Sequence, residues 1–290
     1  MSLVVDRPRG QGLTASALLA PASLFVAISL FAPLAILFRY SLNDFVPTTK
    51  TMVEALTTAQ YTKFFTDPYY ISALLTTVKV ALISSVSCLI LGFPLAYVLA
   101  RTQSRFKHLL IIAIVLPLFV GNSVRAAGWM VVFGNKGFVN ASLMGLGLIH
   151  QSIEIMFTEK AVIIGIIAVD LPFMVLSLQS VIEGIDRAVE EAAYSLGAPP
   201  ATMFRRVLWP LALPGILGGM ILTFILAMNA YATPFLLGGP TFKMMAPVIY
   251  NEFTQKTNWP FGGAVAFILM AVTLSLTLVA NLLIQRRSAR

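Results

Sequence analysis

Three ionisable side chains stand inside long apolar runs of this chain, and each needs a physical reason to be there. Asp170 sits in Asp-Leu-Pro-Phe-Met, Arg125 in Asn-Ser-Val-Arg-Ala-Ala-Gly-Trp, and Lys79 about two turns into the apolar run that starts at Ala73. A charge at bilayer depth costs about 2.5–3.5 kcal/mol on insertion scales, so such groups are paired or line a water-filled route. Lys79 is shallow enough for its ammonium to reach the outer surface. Two readings stand for Asp170: an internal ion pair with Arg125 that fixes helix packing, or a place on a solute route. Pro172 favours a local break beside it, because an interior proline frees a carbonyl that can line a cavity. A second break is expected at Asn229-Ala230-Tyr231-Ala232-Thr233-Pro234, ahead of Gly238-Gly239-Pro240. Unwound segments of transporters hold solutes with backbone and small polar groups at mid-depth. Asn229, Tyr231 and Thr233 therefore join Asp170 and Arg125 as pathway candidates, with interhelical hydrogen bonding as the competing account for Asn229 and Thr233.

The chemistry these residues suggest is passage, not turnover. The chain has no Gly-x-x-x-x-Gly-Lys-Ser/Thr phosphate cradle and no Gly-x-Ser-x-Gly elbow. His108 and His150 are far apart in sequence and make no metal pair with the single Cys88, which sits in an apolar run and reads as packing. One cysteine also excludes a disulfide framework.

These candidates must be positioned by membrane-spanning helices. The 290 residues are 58% hydrophobic and 11% charged, with a mean hydropathy of +0.86, whereas soluble domains carry about 25% charged residues. Apolar runs of about 20 residues span a hydrocarbon core. Six reach or nearly reach that length, at residues 16–38, 73–100, 108–133, 161–182, 211–237 and 261–284. The first run reads as an uncleaved span, since its flank carries Asp6 beside Arg7 and Arg9. The expected fold class is an all-α, six-span membrane protein forming one domain over residues 1–290. Polar outer loops with residues such as Asp44, Tyr61, Tyr69 and Asn135 are expected to form caps or short helices. Trp129 and Trp259, near the outer span ends, read as interface anchors.

Orientation follows from the basic residues. With a cytoplasmic amino terminus, the inner segments hold Arg7, Arg9, Arg101, Arg105, Lys107, Arg187, Arg205, Arg206, Arg286, Arg287 and Arg290. The longer outer segments hold Arg39, Lys50, Lys63, Lys136, Lys160, Lys243 and Lys256. Eleven against seven, with three in the short stretch 101–107, places both termini in the cytoplasm. The net charge of +8 is thus spread over span ends and does not form a nucleic-acid-binding patch.

A charged, proline-punctuated island at residues 183–210 lies between the fourth and fifth runs. Asp186, Glu190 and Glu191 open a helix where its dipole favours acids, Gly197 fits its end, and Pro199 and Pro200 forbid simple continuation. A second short helix is expected over 201–208, before Pro210 and Pro214 turn the chain into the fifth span. Glu191-Ala192-Ala193, three residues, Gly197, nine residues and then Val207 resembles the cytoplasmic Glu-Ala-Ala loop of ABC importer membrane subunits. One departure is Trp209-Pro210, where that family has Leu-Pro. Leu-Pro-Leu-Phe at 116–119, Val-Arg-Ala-Ala-Gly-Trp at 124–129, Leu-Pro-Phe-Met at 171–174 and Pro-Phe-Leu-Leu-Gly-Gly-Pro at 234–240 are similar to the spermidine/putrescine-type permeases.

The resemblance implies a type I importer permease (MetI-like) architecture in a bacterial inner membrane. It implies that Glu190, Glu191, Ala192, Ala193, Gly197 and Ala198 form a coupling helix against an ATPase present in two copies. A second homologous permease and a periplasmic or lipid-anchored binding protein complete such a transporter. The chain itself then needs no cofactor and catalyses nothing, because the ATPase binds the ATP. A polyamine is the implied solute, with an opine, an aminoalkylphosphonate or another amino-acid-like amine as the alternative, since Asp170 is the one clear intramembrane acid and Arg125 opposes cations. The rival functions are an ion-coupled transporter titrating Asp170, an intramembrane enzyme and a structural scaffold.

Overall fold

The computed structural model describes the backbone of residues 11–288 and the side chains of residues 19–282. Asp6, which enters the reading of the first run, and Arg7, Arg9 and Arg290, which enter the orientation argument, lie outside the described residues, as do the side chains of Arg286 and Arg287.

Five helical stretches are long and apolar enough to cross a membrane, and a sharply bent helix pair brings the number to six. The first is α1 (Gln11–Ser41), which keeps helical form through Pro21 and Pro33. A two-stranded ribbon, β1 (Asp44–Val46) and β2 (Thr51–Val53), follows with Phe45 opposite Met52. Then come α2 (Ala59–Thr66) and the long α3 (Pro68–Arg101). The bent pair comprises α4 (Lys107–Val115) with a 3-10 turn Leu116–Phe119, then α5 (Asn122–Phe133) and α6 (Phe138–Gly145). The fourth spanning helix is α7 (Glu159–Glu183), followed by the short α8 (Arg187–Ser195). A continuous helical run over Pro200–Met228 is built from α9 (Pro200–Met203), a π-helical turn Phe204–Leu208 and α10 (Trp209–Met228). The chain closes with α11 (Ala232–Leu237), α12 (Met245–Thr254) and α13 (Trp259–Ser288).

Helices α3, α7 and α10 pack on one another and make the frame. Its core has two halves. Near α8, Cys88, Phe93, Met174, Leu178, Met203 and Leu208 interlock. At the opposite end, Phe64, Tyr70, Met244, Met245 and Phe261 do so, with the rings of Tyr70 and Phe261 4.7 Å apart, edge to face. Cys88 is buried, consistent with a packing role. Helix α1 packs mainly on α13, where Phe38 stands edge-on to Phe267 at 5.3 Å, and most of its described apolar side chains are exposed. That is the composition of a surface facing lipid or another apolar body.

Three sequence expectations need correction. The run 108–133 is not one straight span. Lys107–Phe119 and Asn122–Gly145 meet at 98°, because Pro117 lacks an amide donor and Gly121 adopts an extended ψ of 143° ahead of α5. The helix expected over 201–208 is present, as α9 and the π-helical turn, but it is continuous with α10, so the helical run begins at Pro200 and not at residue 211. Pro210 is tolerated in the first turn of α10, and the π-helical turn lets the Trp209 amide reach back five residues to the Phe204 carbonyl. Its outer half breaks, as expected, between Met228 and Ala232. Pro172, by contrast, breaks nothing, since α7 runs unbroken past it.

Lys79 pairs with Glu159 of α7 at 2.7 Å, with its side chain about half exposed. Exposed pairs contribute about 0–1 kcal/mol, so Lys79→Gln is expected to lower the thermal midpoint of the detergent-purified protein by no more than a few degrees, as a melting curve would read.

Candidate functional site

Two places in this fold can do work: a polar cavity between α5, α7 and the broken helix, and the exposed α8 loop. The cavity encloses about 560 Å³ and is lined by Asn122, Ser123, Arg125, Asp170, Phe173, Asn229, Tyr231 and Thr233 among apolar neighbours. All five pathway candidates thus meet in one space, although they come from residues more than a hundred positions apart in sequence. What brings them together is specific. The bend at Pro117–Gly121 turns Asn122, Ser123 and Arg125 onto the first turn of α5. The break after Met228 leaves Asn229 and Tyr231 outside regular helix. Gly165 then lets α11 close on α7: a Cβ there would stand 2.6 Å from Thr233 Cγ2 and 2.7 Å from Leu237 Cδ1. Gly165→Leu is expected to force α11 away, at the about 1–3 kcal/mol typical of overpacking, readable as a lower melting temperature and lost uptake together.

Within the cavity, Asp170 and Arg125 make no ion pair. Arg125 donates from Nη2 to Asn122 Oδ1 on its own helix. Its Nε and Nη1, and Asp170 Oδ2, are buried with no hydrogen-bond partner. Asp170 is 2% exposed. The packing-pair reading of these two residues therefore fails on geometry: two opposite charges share a cavity without satisfying each other. Leaving a charge so placed is costly unless something completes it. Asn229 donates from Nδ2 to the Ile225 carbonyl at 2.9 Å, closing the end of α10. Tyr231 stacks 5.3 Å from Phe235 and lies 4.6 Å from the Tyr250 ring, so an aromatic patch flanks the polar wall.

The α8 loop is built on local rules. Asp186 caps its start, accepting from the Ala188 amide at 3.0 Å. At its end Gly197 takes φ +79°, while the Gly197 amide donates to Tyr194 O and the Ala198 amide to Ala193 O, at 2.9 and 3.1 Å. This is a Schellman cap, which requires the left-handed conformation glycine provides. Glu191, Ala192 and Gly197 are exposed, Ala193 and Ala198 half-buried. Beyond them Leu196 presents 88% of its surface. Glu190 departs from the expected role of a docking contact. It is 7% exposed, and its carboxylate accepts from Tyr97 Oη and Arg101 Nε, both at 2.9 Å.

The family described as binding-protein-dependent transport system inner membrane component matches residues 74–289, more than half of the chain. This chain belongs to that family. Its fold agrees with those of solved importers, which are less than 25% identical and speak to architecture alone. A bacterial alginate ABC transporter, crystallised with an alginate pentasaccharide-bound periplasmic protein, superposes with a TM-score of 0.79 at 19% identity over 94% of each chain. Among curated relatives, the spermidine/putrescine transport system permease protein PotB of Salmonella typhimurium is 38% identical over 77% of this chain and 76% of its own length. The PotB of Escherichia coli K12 is 36% identical over 79% and 82%.

For this inner membrane component, sequence reading missed several functional neighbours. Arg101 registered only as a topology charge and Tyr97 not at all, because nothing in a linear sequence points from residue 97 to residue 190. Asn122 and Ser123 fell inside a quoted motif but had no reason to face Asp170 until the bend was known. Leu196 carries a signal that was available: a large apolar residue directly before a helix-ending glycine, in an otherwise charged loop.

Proposed function

We propose that this chain is the permease subunit of an ATP-driven importer and forms half of the route for a polyamine-like solute. What carries the reading is the combination of an exposed, rigidly capped α8 loop with 36–38% identity to spermidine/putrescine permeases over most of the chain. In this reading α8 seats in a separate ATPase present in two copies, a second homologous permease completes the route, and a receptor outside delivers the solute. Both termini and α8 face the cytoplasm, consistent with Arg101, Arg105, Lys107 and Arg187 at that end. The subunit performs no chemistry of its own.

Asp170 gives a solute ammonium a charge-assisted partner that the fold leaves open. The neighbouring Tyr231 ring offers a cation a second foothold. Arg125 makes the cavity unattractive to small inorganic cations, as an arginine does in other selective pores. The same unpaired guanidinium favours a second reading, in which the solute carries an acidic group as well as an amine, as opines and aminoalkylphosphonates do. Initial uptake of labelled spermidine by cells expressing the full transporter separates these, with putrescine, amino acids and an aminoalkylphosphonate as competitors. Competition by diamines alone supports the polyamine; competition by zwitterions alone supports the second reading. Uptake that collapses with an ionophore and ignores ATP contradicts both, and points to ion-coupled transport.

A further inference from the structure

The end of the frame nearest α8 holds a charged cluster that the docking role of α8 does not require. Arg101, the last residue of α3, donates from Nε to Glu190 Oε1 at 2.9 Å and from Nη1 to the Ile185 carbonyl at 3.0 Å. Tyr97, one turn earlier, donates to the other Glu190 oxygen. Arg187 returns a hydrogen bond to the Arg101 carbonyl. The side chains of Arg101 and Glu190 are only 14% and 10% exposed. The partners thus come from three segments: α3, the 184–186 turn and α8. Beside them Lys107, opening α4, pairs with Glu183, closing α7, at 2.6 Å.

A docking surface needs α8 to be exposed on one side; it does not need, on the other, a largely buried ionic contact in which two guanidinium nitrogens of Arg101 converge on one Glu190 oxygen. Buried pairs of this kind add little net stability over apolar packing, and their best-attested use is to fix one geometry. By chain connectivity alone, motion of α8 would pass back to α7 through a three-residue turn, or on to α9 through Gly197, where nothing stands within 4 Å of the position a Cβ would occupy. Besides the packing of α8 on α9 and the π-helical turn, the cluster supplies a direct polar route from α8 to α3.

We propose that Glu190 and Arg101 are positioning residues that lock α8 to the end of α3, so that displacement of α8 by the motor is delivered to α3 and through it to the frame around the cavity. This rests on the functional reading above. Breaking the lock leaves α8 able to bind the ATPase while its motion is lost in the linkers.

The test uses the whole transporter reconstituted in proteoliposomes with receptor and labelled solute, measuring solute moved per ATP hydrolysed. Glu190→Gln, close in shape to glutamate, is expected to keep the ATPase bound and to lower that ratio about tenfold, within the usual range of coupling between sites. The charge swap Arg101→Glu/Glu190→Arg is expected to recover much of it. An unchanged ratio in Glu190→Gln overturns the lock, as does loss of the ATPase from that variant, which would make Glu190 part of the docking surface. No recovery in a swap that still assembles also counts against it. If the wild-type transporter shows no ATP-dependent uptake, the functional reading fails instead, so the two failures are told apart.

Discussion

Asp170→Asn is expected to lower solute uptake by about 10–100-fold, the value of one charge-assisted hydrogen bond of about 1.5–3 kcal/mol. The same change is expected to leave the purified subunit at least as stable as the wild type. The two effects have opposite signs for one reason. The Asp170 carboxylate is buried, its Oδ2 has no partner, and Arg125 stops short of pairing with it. Removing the charge therefore removes a desolvation cost from the folded protein, yet it also removes the group that would receive a solute amine. Uptake rates and melting curves on the same preparation check this. A variant that loses stability and uptake together would make Asp170 a packing residue.

Gly197→Val is expected to reduce ATP-dependent uptake by at least about tenfold with the protein still present in the membrane at normal levels. Its φ of +79° lies where a β-branched residue is strained, by about 1–2 kcal/mol. Nothing stands within 4 Å of the position a Cβ would occupy, so the subunit itself has room for the new side chain. The strain falls on the cap that ends α8, and the bulk falls on the surface offered to the ATPase. Gly197→Asn, which tolerates the left-handed conformation, is expected to retain more uptake than the valine variant. Equal uptake by wild type and valine variant would fit a scaffold and not a driven permease.

Much of this architecture could be read from hydropathy alone. The run 73–100 became Pro68–Arg101, 161–182 became Glu159–Glu183, and 261–284 became Trp259–Ser288, because a long apolar helix in lipid has few alternatives. The bend at Pro117–Gly121 was hidden for the same reason: the side chains of 108–133 are apolar whether the helix is straight or turned through 98°. Proline was the least dependable sign. Pro21, Pro33, Pro94, Pro172 and Pro214 all sit inside continuous helices, whereas Pro117 sits in the turn at a true break, where Gly121 adds the needed freedom. The short ribbon at 44–53 is the one departure from an all-helical chain among the described residues.

At the candidate sites, residue types were informative and contacts were not. Intramembrane charge and the Asn229–Thr233 break pointed to the residues that line the cavity. Glu190 and Glu191 are adjacent and chemically equal in sequence, yet one is buried against Arg101 and the other exposed. Helical geometry separates them by about 100°, and only the position of α3 decides which of the two turns inward.

Leu196 offers the most direct measurement of the central claim, since it is 88% exposed beside Gly197. In a Cys88→Ala background, Leu196→Cys is probed with a membrane-impermeant maleimide in intact cells and in inverted vesicles, with and without the co-expressed ATPase. The account predicts labelling only in inverted vesicles, and protection there when the ATPase is bound. Labelling in intact cells, or labelling in vesicles that the ATPase leaves unchanged, would contradict it.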